Sequence, residues 1–167
     1  MNNLDNIDFS KIKFVLMDMD GVLTDGTVLY SSDGEEIIKV FSVYDGYGIE
    51  RGHRHGLKFA IISGRSAKAN EHRARKLKID ILYQDCGDKV AAYNEIMKKF
   101  GLERDNFCYI GDEIFDLPLL NEVMFSCAPA NAVDEVKEAV DYVAIKEGGK
   151  GAVREIIDLI LRKRNLI

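Results

Sequence analysis

Short apolar runs alternate along the chain with longer stretches in which apolar positions recur every three or four residues. The runs at 13–19, 57–62, 81–83, 107–110, 124–128 and 142–145 are rich in β-branched and aromatic side chains. They are too short for helices and predict strands buried on both faces. Between them, 47–55, 67–78, 89–100, 114–120, 132–140 and 153–164 carry the spacing of amphipathic helices, and Gly56 and Gly101 stand where helix C-caps belong. Repeated β-α units of this kind predict an α/β fold, a Rossmann-like parallel sheet with helices on both faces. One segment departs from the rhythm. Residues 27–30 and 36–43 read as two strands joined across Ser31-Ser32-Asp33-Gly34, a β-hairpin inserted after the first strand. With no repeat, low-complexity tract or linker, residues 1–167 are expected to form one domain.

Composition narrows the function classes. A net charge of −5 argues against general affinity for nucleic acid or for an anionic membrane, both of which need a surplus of Lys and Arg on some face. Cys86, Cys108 and Cys127 are odd in number and widely spaced, which fits reduced thiols in the cytoplasm rather than a disulfide frame or a zinc site. No apolar run approaches the roughly 18 residues of a membrane span. The start, Met-Asn-Asn-Leu-Asp-Asn, lacks the basic and apolar regions of an export signal.

The candidate chemistry begins where the first strand ends, in Asp18-Met-Asp20-Gly21. A lone pair of aspartates at that spacing more often opens a polar loop than a site. Three further groups fall at the same predicted sheet edge, where ligands of open parallel sheets bind: Ser63-Gly64-Arg65 after the second core strand, Lys89 at the start of a helix, and Gly111-Asp112-Glu113-Ile-Phe-Asp116 after the fourth. Ser63 alone reads as a turn, and Asp112, Glu113 and Asp116 alone read as helix-start charges favoured by the dipole. Lys89 does not, because a cation in the first turn opposes that dipole. Arg65 and Arg73, eight apart on what reads as one helix face, suit a substrate carboxylate as well as they suit solvent. Gly148-Gly-Lys150-Gly151 reads equally as a helix-entry loop and as a close approach to an anion.

Taken in order and spacing, Asp18-x-Asp20, Ser63, Lys89 and Gly111-Asp112-x-x-x-Asp116 resemble the four motifs of the haloacid dehalogenase superfamily of phosphohydrolases. The stretches 18–26, 45–49, 61–65, 82–84 and 148–155 further resemble the branch of that superfamily acting on 8-phosphates of eight-carbon 2-keto sugar acids; nine-carbon acidic sugar 9-phosphates are the close alternative. Glu113, Tyr44 and Lys150 depart from that branch's usual Asp, basic residue and Arg.

The resemblance implies a small-molecule sugar-acid phosphate substrate and Mg2+. It makes Asp18 the nucleophile and Asp20 the acid and then base, with Ser63 and Lys89 on the phosphoryl oxygens. Asp18, the Asp20 backbone carbonyl and Asp112 are the expected metal ligands, with Glu113 and Asp116 at or just behind them. Arg65, Asp45, Arg73 and Lys150 are the candidate substrate-binding residues. The chemistry asks for these types, since a phosphate dianion repels a carboxylate unless cations neutralise its oxygens. The chain has no room for a separate cap domain, so a homotetramer is expected in which neighbours meet through the apolar hairpin residues Val28, Tyr30, Ile37, Ile38, Val40, Phe41 and Val43 and cover the site. A phospho-receiver domain and a metal-binding scaffold are the non-enzyme alternatives.

Overall fold

The structure, a computed structural model, describes residues 4–34 and 36–167; the reading of residues 1–3, and of the Ile37 side chain as part of the hairpin's apolar surface, lies outside them. In chain order come β1 (Phe14–Met17), the short strands β2 (Leu29–Tyr30) and β3 (Glu36–Ile38), α1 (Val43–Arg54), β4 (Lys58–Ile62), α2 (Lys68–Lys76) and β5 (Ile81–Tyr83). Then follow α3 (Lys89–Phe100), β6 (Phe107–Ile110), α4 (Leu117–Leu120), β7 (Phe125–Ala128), α5 (Asp134–Ala139), β8 (Tyr142–Val143) and α6 (Ala152–Lys163). Six strands make one parallel sheet in the order β5-β4-β1-β6-β7-β8, and β2 and β3 form a separate antiparallel ribbon.

The continuous apolar runs are explained by cover on both faces. Val15, Met17, Phe59, Ile61, Cys108 and Ile110 pack with α1, α2 and α6, while Phe14, Leu16, Ala60, Ile62, Phe107 and Tyr109 pack with α3, α4 and α5. On α6, Val153, Ile156, Ile157, Ile160 and Leu161 are all buried, the three- and four-residue spacing its sequence predicts. Gly101 closes α3 in the left-handed region at φ 61°. The three cysteines are free, and among the described residues no helix is long and apolar enough to cross a membrane.

Several element boundaries differ from expectation. The second hairpin strand ends at Ile38 rather than 43, and α1 begins at Val43 rather than 47. The cause is Ser42, whose hydroxyl accepts the N–H groups of Tyr44 (3.1 Å) and Asp45 (3.3 Å) and so starts the helix. The β-branched and aromatic run before it has no sheet to join. The segment 114–120 splits into a 3-10 turn, Ile114–Asp116, and α4, because Pro118 has no N–H to continue a helix and is tolerated only in a first turn. Finally, α2 begins at Lys68, so Arg65 lies in the loop before it and shares no helix face with Arg73.

Chain order reverses at the centre of the sheet. From β1 the chain builds β4 and β5 on one side, then returns to β6, β7 and β8 on the other. The carboxyl ends of β1 and β6 therefore part at a topological switch point, where α/β sheets hold their ligands.

Candidate active site

Asp18 follows β1 directly, and its N–H extends the ladder to the Ile110 carbonyl (3.0 Å). Its side chain is buried. Oδ1 accepts the Met19 N–H at 2.6 Å and Oδ2 lies 3.0 Å from Lys89 Nζ. Asp88 caps α3 by accepting the Ala91 N–H (2.9 Å), which fixes Lys89 at the first helical position and turns it inward. There the ammonium also donates to Asp116 Oδ1 (2.6 Å) and to the Tyr109 hydroxyl (3.1 Å), beneath the Phe115 ring at 4.7 Å. Opposing the helix dipole costs a few tenths of a kcal/mol to about 1 kcal/mol. Two buried carboxylates on one ammonium outweigh it.

Asp116 is saturated. Oδ1 accepts from Lys89 and from Tyr109 OH (2.5 Å), and Oδ2 accepts the N–H groups of Asp112 (3.0 Å) and Glu113 (3.2 Å). It holds Lys89 and the loop, with no lone pair to spare. Asp112 is the reverse case: its Oδ1 is buried with no hydrogen-bond partner. Asp18, Asp112 and Asp116 each offer an oxygen within 4.8 Å of the others. Burial, with the Asp116 charge adding and Lys89 opposing, pushes the Asp18 carboxyl up to about 6. Burial and the charges of Asp18 and Asp116 push Asp112 up to about 8. Oxygen ligands, surplus negative charge and an orphaned lone pair fit a hard divalent cation. Gly21 makes room for them: at φ +85°, a Cβ there would stand 1.9 Å from Asp112 Oδ2.

Asp18, Asp20, Ser63, Arg65 and Lys89 line one cavity of about 380 Å3, together with Phe115 and the 86–87 loop. Both Asp20 oxygens accept from Lys39 Nζ, at 2.7 and 2.9 Å. Ser63 Oγ accepts the Arg65 N–H (3.2 Å) and donates to the Arg65 carbonyl (2.9 Å). The Arg65 guanidinium donates to Tyr30 OH (2.8 Å), which ties the ribbon to the cavity wall.

Four predicted residues stand elsewhere. Asp45 is fully buried at the start of α1 and accepts the N–H groups of Gly151 (3.2 Å) and Arg154 (2.9 Å). It supplies from another helix the cap that Gly151 lacks. Arg73 donates to the Ser42 carbonyl (2.7 Å) and lies over the Phe41 ring at 5.2 Å. Lys150 is exposed and pairs with Glu147 (2.5 Å). Glu113 turns back to accept the Ile114 N–H (2.8 Å), away from the carboxylate cluster. The glycines beside Lys150 make close backbone contacts: a Cβ on Gly148 would lie 1.8 Å from the Gly21 carbonyl oxygen, and Gly149 N–H donates to the Val22 carbonyl (3.0 Å). Asp45→Ala is accordingly expected to cost about 2 kcal/mol of stability, as buried N–H groups lose their acceptor, and to leave the KM of any substrate unchanged. Thermal melting beside steady-state kinetics checks both halves.

Sequence reasoning missed Lys39, Tyr109, Phe115 and the residues bracing the Asp20 loop. Thr24 Oγ1 accepts the N–H groups of Gly21 (3.3 Å) and Gly26 (3.2 Å), while Asn131 donates to the Gly21 carbonyl (2.9 Å) and accepts the Gly148 N–H (2.6 Å). Asn131 lies just past the carboxyl end of β7, and that position was the available signal.

Residues 79–157 match the haloacid dehalogenase-like hydrolases. The chain is 40% identical over 150 residues to the 3-deoxy-D-manno-octulosonate 8-phosphate phosphatase of Escherichia coli K12, covering 90% of this chain and 79% of that protein. The Yersinia pestis enzyme of the same name is 41% identical over 152 residues, covering 91% and 81%. Among solved structures, the Moraxella catarrhalis phosphatase in complex with magnesium, phosphate and KDO superposes with a TM-score of 0.90 at 38% identity, over 95% of this chain and 91% of that one. The cobalt-bound Haemophilus influenzae phosphatase also superposes at 0.90, with 39% identity over 94% and 91%.

Proposed function

The chain belongs to the 3-deoxy-D-manno-octulosonate 8-phosphate phosphatases among the haloacid dehalogenase-like hydrolases, and on that premise we propose that it hydrolyses that 8-phosphate to the free sugar acid and phosphate, with magnesium, through a phosphoryl group carried on Asp18. The observation that carries this reading is Lys89, a buried cation pinned between Asp18 and Asp116 beside the unpartnered Asp112 oxygen.

In this reading Asp18 Oδ2, facing Lys89, attacks phosphorus, and the bond to the sugar oxygen breaks in line. Lys89 stays within reach of both the nucleophile and the phosphoryl oxygens, so positive charge is in place before negative charge moves. Ser63 turns its hydroxyl from the Arg65 carbonyl to a phosphoryl oxygen. Asp20 gives a proton to the leaving alkoxide and, as a carboxylate, then takes one from the water that cleaves the aspartyl phosphate. Asp18, Asp112 and the Asp20 carbonyl would hold Mg2+, which would supply further positive charge to neutralise the phosphoryl oxygens. Asp116, filled by its four donors, keeps Lys89 in place. Arg65 at the cavity wall is the substrate-carboxylate candidate that remains.

The same proposal makes residues 1–167 one phosphatase domain, active in the cytoplasm in lipopolysaccharide sugar synthesis. It also makes the protein a homotetramer. Tyr30, Ile38, Val40 and Val43 leave 52–83% of their surface exposed along the ribbon and the start of α1, an apolar face that neighbours would cover. Light scattering at micromolar concentration is expected to give four chains, and a fully active monomer would refute the assembly.

A second carboxylate two residues from Asp18, lining the same cavity, suits an enzyme that discharges its phosphoryl group rather than a receiver that stores it. A sugar-phosphate panel tests the substrate. The eight-carbon 8-phosphate is expected to exceed glucose 6-phosphate in kcat/KM by at least ~100-fold, the scale that a few specific polar contacts provide. Equal efficiency, or preference for a nine-carbon 9-phosphate, would overturn the assignment.

A further inference from the structure

Lys39 leaves the ribbon between two exposed residues, Ile38 and Val40, yet its own side chain is completely covered. Lysine is rarely buried unless paired. Here the ammonium donates to both oxygens of Asp20, at 2.7 and 2.9 Å. Asp20 lines the cavity beside Asp18, whereas Lys39 is not among the described residues that do. A surface aspartate would swing freely about its two side-chain torsions. Two charge-assisted hydrogen bonds from one buried donor leave Asp20 a single arrangement, on the cavity side of the loop.

We propose that Lys39 is a positioning residue that holds Asp20 at the leaving-group oxygen, so that the segment leaving the inserted ribbon sets the geometry of proton transfer. The proposal rests on the reading of Asp20 as acid and base. A catalytic carboxylate must lie within hydrogen-bond reach of the proton it moves, and small displacements are costly there. The Thr24 and Asn131 contacts brace the backbone of the same loop. Lys39 is what reaches its side chain.

The test is the leaving-group dependence of kcat/KM in Lys39→Met and Lys39→Arg, with the magnesium-loaded full chain. This parameter ends at the first irreversible step, so it reports departure of the leaving group and not the later hydrolysis. A sugar alkoxide needs a proton to leave, and p-nitrophenolate does not. Lys39→Met is expected to lower kcat/KM for the sugar 8-phosphate at least ~10-fold more than for p-nitrophenyl phosphate, part of the 10²–10⁴-fold that a positioned acid supplies. Lys39→Arg keeps the charge but moves the donors and should show the same split, smaller; it carries the test if the methionine variant does not fold. Equal losses on both substrates would overturn the proposal and leave Lys39 a structural residue. Asp20→Asn, measured alongside, separates the two levels. If it splits the substrates and the Lys39 variants do not, only the Lys39 proposal fails; if it does not split them either, the acid assignment of Asp20 fails first.

Discussion

Asp18→Asn is expected to reduce phosphate release by at least ~10⁴-fold, the scale on which removal of a covalent nucleophile is felt, while leaving a folded protein. An amide nitrogen cannot attack phosphorus, and whichever way the amide is turned its NH2 faces one donor, since the two Asp18 oxygens face the Met19 N–H and the Lys89 ammonium. Folding should survive for a definite reason. Burial holds the Asp18 carboxyl up at about 6 in the folded protein, above its value in an unfolded chain. The ionised form is therefore a cost of folding above the unfolded pKa, and a neutral amide of the same shape relieves it. Lys89 keeps Asp116 as partner. The check is kcat for the sugar 8-phosphate beside a thermal melt: a folded variant with ordinary turnover would eliminate Asp18 as nucleophile.

Magnesium binding is expected to expel close to one proton at neutral pH. Without the metal, burial and the neighbouring Asp18 and Asp116 charges hold Asp112 at about 8, so near pH 7 it is mainly protonated, whereas a metal ligand must be a carboxylate. Affinity should therefore rise by roughly tenfold per pH unit up to about pH 8 and then level off. The same shift fixes the sign of the stability effect. Between the unfolded carboxyl pKa and about 8, the metal-free folded chain binds more protons than the unfolded one, so its stability falls as pH rises; saturating magnesium should remove that slope. Calorimetry in buffers of different ionisation enthalpy counts the proton directly. Binding without proton release, or in Asp112→Asn with unchanged affinity, would contradict the metal assignment.

What could be read from the sequence follows from how locally each feature is determined. Buried parallel strands announce themselves as unbroken apolar runs, and β1, β4, β6 and β7 lie within two residues of expectation at each end. Asp18, Asp20, Ser63 and Lys89 follow strand ends or open a helix, so topology alone carries them to one cavity. Long-range partners leave no such trace. Asp45 stands in a motif that suggests substrate contact, yet its partners are N–H groups at 151 and 154, more than a hundred residues on. Arg73 reads as a basic surface residue, but it meets the Ser42 carbonyl. Tyr109 reads as core because its ring is core; only its hydroxyl, on Asp116 and Lys89, belongs to the site. Lys39 sits in a ribbon whose pattern gives no sign that one side chain turns inward.

Rapid acid quench of the magnesium-loaded protein with the sugar 8-phosphate, followed by mass spectrometry of the peptide containing Asp18 and Asp20, tests the covalent reading most directly. The account predicts one phosphoryl group on that peptide, assigned by fragmentation to Asp18. It should be missing in Asp18→Asn, and it should accumulate in Asp20→Asn when p-nitrophenyl phosphate, whose leaving group needs no proton, replaces the sugar 8-phosphate. Turnover with no phosphoryl group trapped on Asp18 at any quench time, in either the native protein or Asp20→Asn, would contradict it.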